Sequence, residues 1–450
     1  MSPPSEGDSR FRLSEVQASA IAEVFGTPTY VIDEALFRAR IRRYRAAFEA
    51  AWPGSKLTFA SKANSTLAVL AIAAQEGCLI DCASEGELRA ALAAGVPANR
   101  CHLHGNNKTR REIAFAIDKG VAEIVVDNFN EIETIAQLAQ DRPIPDLVLR
   151  LAPGVDPVTH AKISTGQADT KFGFNIADGS AKRATKLCLD KGLPIVGFHC
   201  HVGSQLLDPE AQISGGELIS GFAASMFQKF GLQSRLINVG GGLGVRYLDS
   251  DHPTEVETYS QKIAEAVRSS IAGTGLDPVL LQEPGRSLIA ESGVTLYTVG
   301  VVKTVPTKTG FRTYVVVDGG LSDNPRPVMY GAKYTVERVA AGSPPPAPSS
   351  FSGENEEGIF TISGKHCETD LLFPDIALPK DTKVGDLLQV LCTGAYNSSM
   401  ANNYNRYPRP GTVLIRTDGS FELVQRPDEW PEMFARESVP ADIMNAPVRN

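Results

Sequence analysis

The chain has 450 residues with a formal net charge of −8, and 42% of its residues are hydrophobic and 21% charged, the balance of a globular protein in water. The acidic surplus argues against nucleic acid and anionic membrane as partners, since both need a basic face, and no apolar run approaches the roughly 20 residues of a membrane span. The length exceeds one ordinary core, so two domains are expected, although a single α/β barrel can take up about 250 residues.

The N-terminal stretch MSPPSEGDSR is polar, lacks the apolar core of a secretory signal and reads as a disordered tail. Thr29–Ile32 is strand-like and precedes the main repeat, so residues 1–34 read as a tail plus a strand joining a β domain. From about residue 55 to 285 short β-branched or apolar runs alternate with helical stretches such as Glu85–Ala94 and Asn130–Gln140. The expected strands are Leu57–Ala60, Leu79–Cys82, Cys101–His104, Glu123–Val126, Leu147–Leu151, Ile195–His199, Leu236–Val239 and Val279–Leu281. Eight strands alternating with helices predict a closed (β/α)8 barrel over residues 35–286. After Arg286 the pattern turns to strands: Val294–Val305, Arg312–Val317, Gly358–Ile362, Asp386–Cys392 and Thr412–Thr417, with Asp418-Gly419 as a hairpin signal before Phe421–Gln425. Residues 287–450 are therefore expected to form a mainly-β domain, a sandwich or barrel, in which the Pro/Ser-rich stretch 341–357 is an exposed loop. Seven cysteines, at 78, 82, 101, 188, 200, 367 and 392, contain no C-x-x-C pair. They read as free thiols of a reducing compartment, which points to the cytoplasm.

Functional residues of such barrels collect where strands end. The first strand ends in TFASKAN. Lys62 there points into the barrel mouth, where partial desolvation is expected to lower its pKa and free the amine for Schiff-base formation; a surface lysine on a βα loop has the same position. The sixth ends in FHCHVGSQ, whose alternation puts His199 and His201 on one face. One imidazole can stack on a flat ring, two can bind a metal, and a structural histidine pair looks the same. Ser204 follows in a turn and can donate to an anion. The seventh ends in NVGGGLGV, where Gly240, Gly241 and Gly242 let backbone N–H groups close on a phosphate. The eighth ends in QEPGRSL, so Glu283 points inward, as a partner for a pyridine nitrogen or for Arg286. In the β domain KHCETD places Cys367 beside Glu368, and GAYNSSM places Tyr396 in a Gly- and Asn-rich loop. Amine, stacking ring, phosphate cradle and ring-nitrogen partner are together the parts that pyridoxal 5'-phosphate requires.

As an ordered set, Lys62 in ASKAN, His201 in HVGSQ, the glycine run, Glu283–Arg286 as EPGR, Cys367–Glu368 and Tyr396 in GAY resemble the fold-type III pyridoxal-phosphate decarboxylases, from about Thr27 to Val413. Within them the pattern is most similar to the branch that acts on meso-diaminopimelate, which also fits HAKISTGQADTKFGF at 160–174, VDGGLSDNPRPVMYG at 317–331 and NNYNRYPRPGTVLI at 402–415. The resemblance implies pyridoxal 5'-phosphate as cofactor, held as a Schiff base on Lys62, with His201 stacked on its ring and Glu283 on its pyridine nitrogen. It implies Ser204, Gly241, Gly242, Pro284, Gly285, Arg286 and Tyr396 around the cofactor, chiefly its phosphate, and Arg286, Arg326, Tyr330, Glu368 and Tyr396 against an amino-acid substrate. Cys367 matches the proton donor that reaches the other subunit's site, so a head-to-tail homodimer with shared active sites is implied. The implied reaction is decarboxylation of meso-2,6-diaminopimelate to L-lysine, with no metal; the alternative is a related decarboxylase of ornithine, lysine, arginine or carboxynorspermidine. Two departures bear on substrate choice. The family's usual Cys-Glu-Ser-Gly-Asp is here Cys367-Glu368-Thr369-Asp370-Leu371, and Asn397 follows Tyr396 where glycine is usual. A metal-dependent barrel hydrolase using His199 and His201 and a non-catalytic cofactor-binding barrel are the rival classes; Lys62 on the first strand disfavours the former, and the β domain the latter.

Overall fold

The computed structural model describes residues 9–140, 142–155, 170–339, 357–369 and 371–444. The expected N-terminal tail lies largely outside the described residues, as do most of the loop at 341–357, the first ten residues of the 160–174 motif, and Asp370.

Strand β1 (Thr29–Asp33) comes first, followed by β2 (Lys56–Ala60), β3 (Leu79–Cys82), β4 (Cys101–Leu103), β5 (Glu123–Val126), β6 (Asp146–Ala152), the short β7 (Phe174–Asn175), β8 (Ile195–His199), β9 (Leu236–Asn238) and β10 (Val279–Gln282). The eight expected barrel strands appear within one residue at each end. They run parallel in the order β5-β4-β3-β2-β10-β9-β8-β6, and a further β5–β6 pairing closes the ring. The helices between them begin where the sequence supplies caps. Ser84 accepts from the Glu87 N–H at the start of Glu85–Ala93. Thr109 and Glu112 form a reciprocal capping box on Arg110–Lys119, which Gly120 ends in the left-handed conformation.

The closed ring has an apolar floor. Val125, Val148, Val196, Leu236 and Leu281 pack together inside it, with Leu79 against them. Because side chains alternate along a strand, the position two residues further on faces the same way. Those positions carry Asp81, Asp127, Arg150, Asn238 and Glu283, and all five are buried. A polar layer therefore lies directly above the floor, toward the ends where the strands give way to loops. Strand β8 breaks the count. A bulge against β6 makes Ile195 and Gly197 the successive partners of Leu147 and Val148, so Val196 and His199, three residues apart, both turn inward. Only glycine fits at 197, since a Cβ there would lie 1.9 Å from the Leu236 carbonyl oxygen.

The second domain contains β11 (Gly293–Thr307), β12 (Gly310–Val317), β13 (Val336–Arg338), β14 (Glu357–Ser363), β15 (Leu371–Pro379), β16 (Leu387–Val390), β17 (Gly411–Ile415) and β18 (Phe421–Gln425). They form a sheet in the order β15-β14-β12-β11-β1-β17-β18, with β16 bridging β11 and β13. Strand β1 is interior to this sheet, antiparallel to β11 and parallel to β17. Strands β13 and β15 were not among the expected ones. The sequence of β15, LLFPDIALP, contains Pro374, which is tolerated because β15 is an edge strand. The expected hairpin forms, but β17 ends at Ile415 and pairs it with Phe421, so the turn holds five residues with Gly419 at φ 85°. Among the described residues no helix is long and apolar enough to cross a membrane.

Leu281 is fully buried in the barrel floor. Leu281→Ala is expected to lower stability by about 2–5 kcal/mol, read as a lower midpoint in urea unfolding followed by circular dichroism.

Candidate active site

Strand β2 stops at Ala60, and Ser61–Ala63 form a single tight turn with Lys62 at its centre. Both domains hold this turn. From the barrel, the Ala60 N–H donates to the Pro284 carbonyl at 3.2 Å, and Ser61 Oγ donates to Glu87 at 2.7 Å. Gly285 passes so close that a Cβ on it would lie 2.9 Å from the Ala63 Cβ. From the β domain, the Tyr396 N–H donates to the Ala63 carbonyl at 2.7 Å and Ser399 Oγ to the Lys62 carbonyl at 3.0 Å. Lys62 itself is exposed at the mouth of the barrel. The expectation of a depressed lysine pKa is corrected here. The protein packed around the mouth does push the amine down by displacing water, but Asp81, with Tyr396 and Glu283 behind it, outweighs this and Arg150 and leaves it raised.

Glu283 is the centre of the polar layer. Its Oε1 accepts from Asn238 Nδ2 at 2.6 Å and lies 3.0 Å from His104 Nε2. Its Oε2 lies 3.1 Å from His199 Nε2. Burial pushes this carboxyl up, yet His104 and His199 together hold it well below the usual carboxylate range. The two histidines respond in opposite ways. Burial drives His199 down to about 4 despite Glu283. His104 is raised although it is buried, because Asp81, at 3.7 Å, and Glu283 both favour its charged form. Of the two rings, His104 is thus the more readily protonated. His201, in the loop beyond β8, is driven far down by burial, then by Lys62 and Arg150. Its ring is neutral at physiological pH. The expected His199/His201 pair therefore divides: one ring braces Glu283 and the other stands beside Lys62.

His102, His104 and Glu283 bring potential ligand atoms within 4.8 Å of one another. Both Glu283 oxygens are already engaged by nitrogen donors, from Asn238 and His199.

The glycine run follows β9. Gly240 has φ 69°, and a Cβ on it would lie 2.4 Å from the Cys200 carbonyl oxygen; a Cβ on Gly241 would lie 2.2 Å from that of Glu283. The Gly240 N–H is satisfied by Asn238 Oδ1 at 2.9 Å, so Gly241 and Gly242 are the better donors to a ligand. Across the mouth, Arg286 donates from Nε and Nη2 to Ser204 Oγ at 3.2 and 3.1 Å, and from Nη1 to the Tyr247 hydroxyl at 2.6 Å. Its guanidinium lies 4.8 Å from the Tyr396 ring centre. Arg326 is buried, donates from Nε to the Tyr334 hydroxyl at 2.9 Å, and lies 5.2 Å from the Tyr330 ring and 5.4 Å from that of Tyr396. Lys62, His201, Ser204, Gly241, Gly242, Glu283, Pro284, Gly285, Arg286, Arg326, Tyr330 and Tyr396 thus line one region between the two domains.

Cys367 and Glu368 sit elsewhere in the chain's surface. Both are exposed, on the connection between β14 and β15. Asn405 Oδ1 accepts from the Cys367 N–H at 3.0 Å, and the Tyr404 hydroxyl donates to Glu368. Behind them the His366 ring stacks on Tyr404. The other six cysteines are buried.

Asp81, His104, Arg150, Asn238 and Tyr247 were not singled out from the sequence. The first, third and fourth carry a readable signal. Leu79-x-Asp81, Val148-x-Arg150 and Leu236-x-Asn238 repeat the apolar-x-polar step of Leu281-x-Glu283 at the end of a barrel strand. His104 stands just past β4, and Tyr247 lies in a loop where no periodicity marks it.

The family model described as the pyridoxal-dependent decarboxylase, pyridoxal binding domain, matches residues 36–290. The chain is 43% identical over 418 residues to the diaminopimelate decarboxylase of Bacillus subtilis, covering 92% of each chain. It is 37% identical to that of Mycobacterium tuberculosis, covering 94% of each. Among solved structures it is similar to the diaminopimelate decarboxylase of M. jannaschii in co-complex with L-lysine, with a TM-score of 0.86 at 32% identity, covering 97% of this chain and 98% of that one. It is also similar to the Helicobacter pylori enzyme complexed with L-lysine, with a TM-score of 0.80 at 30% identity, covering 93% of this chain and 98% of that one.

The histidine assignments can be checked by NMR on ring-labelled protein, with His199→Asn and His104→Gln to identify signals. His199 is expected to titrate near 4, and His104 above the ordinary histidine value. Between the ordinary value and about 4 the unfolded chain takes up a proton that folded His199 refuses. Its contribution to stability is therefore whole above that window and falls as the pH falls through it; His199→Asn should remove this part of the acid slope.

Proposed function

The chain belongs to the diaminopimelate decarboxylases of the pyridoxal-dependent decarboxylase family, and from that premise we infer how its own residues carry the reaction. The protein is a pyridoxal-phosphate-dependent carboxy-lyase that converts meso-2,6-diaminopimelate to L-lysine and carbon dioxide, the last step of lysine biosynthesis. The observation that carries the mechanism is the meeting, at one barrel mouth, of the exposed Lys62, a neutral His201 and an ionised Glu283.

The residues fit the cofactor. The backbone at Gly240–Gly242 is packed too tightly for any side chain, and Ser204 and Arg286 face it with hydroxyl and guanidinium donors. When bound, pyridoxal phosphate offers an aldehyde to an amine and a protonated ring that takes up the electron pair left by departing carbon dioxide. Lys62 is the residue that would hold it. With its pKa raised, the amine is charged at neutral pH and must release a proton before its nitrogen can attack, and Asp81 is the nearby carboxylate that most favours the charge. His201 would cover a flat ring face without adding positive charge. Glu283, hydrogen-bonded by Asn238 and His199 and with His104 Nε2 at 3.0 Å, would keep a pyridine nitrogen protonated. Ser204, Gly241, Gly242, Pro284, Gly285, Arg286 and Tyr396 would surround the phosphate.

The substrate's distal end is a second amino-acid centre carrying one carboxylate and one ammonium. Arg326 suits the first and Glu368 the second, with Arg286, Tyr330 and Tyr396 around them. Cys367 is the donor that returns a proton to the substrate's Cα. We place Cys367 and Glu368 in the site of a second copy of the chain, in a head-to-tail homodimer. The support is that both are exposed and braced from outside by Asn405 and Tyr404, while Lys62 is held from within. A cytoplasmic location is proposed as well, supported by seven cysteines that form no disulfide.

Purified protein should release carbon dioxide from meso-diaminopimelate and form lysine, with no comparable turnover of ornithine, lysine, arginine or carboxynorspermidine. Lys62→Ala should abolish this. Mixing inactive Lys62→Ala and Cys367→Ala proteins in equal amounts should restore about a quarter of wild-type activity, because half of the dimers then carry one intact shared site. No recovery after subunit exchange would rule out the shared site.

A further inference from the structure

Glu283 has three nitrogen partners, and one of them also faces a second buried carboxylate. His104 follows β4 and is 5% exposed. Its Nε2 lies 3.0 Å from Glu283 Oε1 and 3.7 Å from Asp81 Oδ1. Its ring meets that of His199 edge to face at 5.1 Å. Arg150 from β6 is the remaining charge acting on it, and His102 is its neighbour two positions back on its own strand. One ring nitrogen thus stands between two acids with different duties. Glu283 faces the position of the pyridine nitrogen, and Asp81 is the strongest carboxylate influence on the Lys62 amine.

We propose that His104 is a positioning residue that ties the two ends of the cofactor site together, its Nε2 standing between Glu283 and Asp81 so that it aims the first and offsets the second. It touches neither substrate nor reacting atoms. Its effect follows from elementary electrostatics. Two carboxylates that share a buried space raise each other's pKa unless a cation lies between them. Without that cation, Glu283 keeps Asn238 and a neutral His199 and becomes easier to protonate, and a protonated Glu283 no longer holds a pyridine nitrogen charged. Asp81, no longer offset, then acts with full strength on Lys62. The inference rests on pyridoxal phosphate being the cofactor.

The test uses the cofactor-loaded enzyme in three forms: wild type, His104→Phe and His104→Gln. Glutamine can still donate an N–H to Glu283 but cannot become charged. His104→Phe is expected to lower kcat by roughly 10–100-fold, as loss of an outer partner of a catalytic group commonly does, with KM within about threefold. Its cofactor absorbance should change with pH around a shifted midpoint. His104→Gln should keep more kcat than His104→Phe and lose the pH dependence that comes from His104. Equal losses in the two variants with a wild-type spectral titration would reduce His104 to packing and overturn the proposal, as would wild-type kinetics and titration in His104→Phe. If His104→Phe does not fold, Asp81→Asn supplies the same contrast. Removing the acid that His104 offsets should shift the midpoint, and an unchanged midpoint would overturn the coupling. A wild-type protein that takes up no pyridoxal phosphate would overturn both this inference and the reading beneath it.

Discussion

A carboxylate in a protein interior is tolerated only if its charge is met there, because taking an ion out of water costs several kcal/mol even after relaxation. Glu283 imposes that requirement on the barrel. Its partners come from separate strands: Asn238 ends β9, His199 ends β8 and His104 follows β4. In the strand order, β4 lies well around the ring from β8 and β9, so the charge is met only when the ring is closed. The apolar floor below sets the level at which these groups meet. The inward bulge of β8 at Gly197 lets His199 reach that level.

The same logic extends to the second domain. The turn that carries Lys62 is bonded by Tyr396 and Ser399, and Asn64 Nδ2 donates to the Gly394 carbonyl at 3.0 Å. Gly394 has no room for a side chain, since a Cβ there would lie 2.1 Å from the Ile289 carbonyl oxygen. The loop after β16 is thus pressed against the barrel mouth. Strand β1, interior to the β sheet, leads directly into the barrel's first helix, Glu34–Ala51. The two domains are joined at both ends of the barrel segment, which keeps Arg286, Tyr396 and Arg326 within ring-contact distance of one another.

Much of this was legible in the residues. The barrel strands were found to within a residue because each is a short apolar run bounded by small or polar residues, and such runs differ from the helices between them in period and length. Lys62, His201, Glu283 and Arg286 were legible because they interrupt or follow those runs at the end where barrels place their chemistry. Strand β15 was not, because its proline disguises an edge strand. Strand β13 was not, because three residues, Val336–Arg338, carry no period. His104 and Tyr247 were missed because their importance lies in what they touch, Glu283 and Arg286, which are far away in sequence.

By itself the sequence determined the ring of eight strands and, at their ends, the lysine, histidine and glutamate that share the mouth. Alternation and strand length are local properties, and a linear pattern carries them. Only the tertiary structure decided where the charges reside. Lys62 is raised and not lowered, His104 takes a proton more readily than His199, and His199 and His201 part company. The histidine outcomes depend on separations of about 3 to 4 Å between residues that follow different strands, and Coulomb energies at such range in a poorly solvated interior change too steeply with distance for any reading along the chain to fix them.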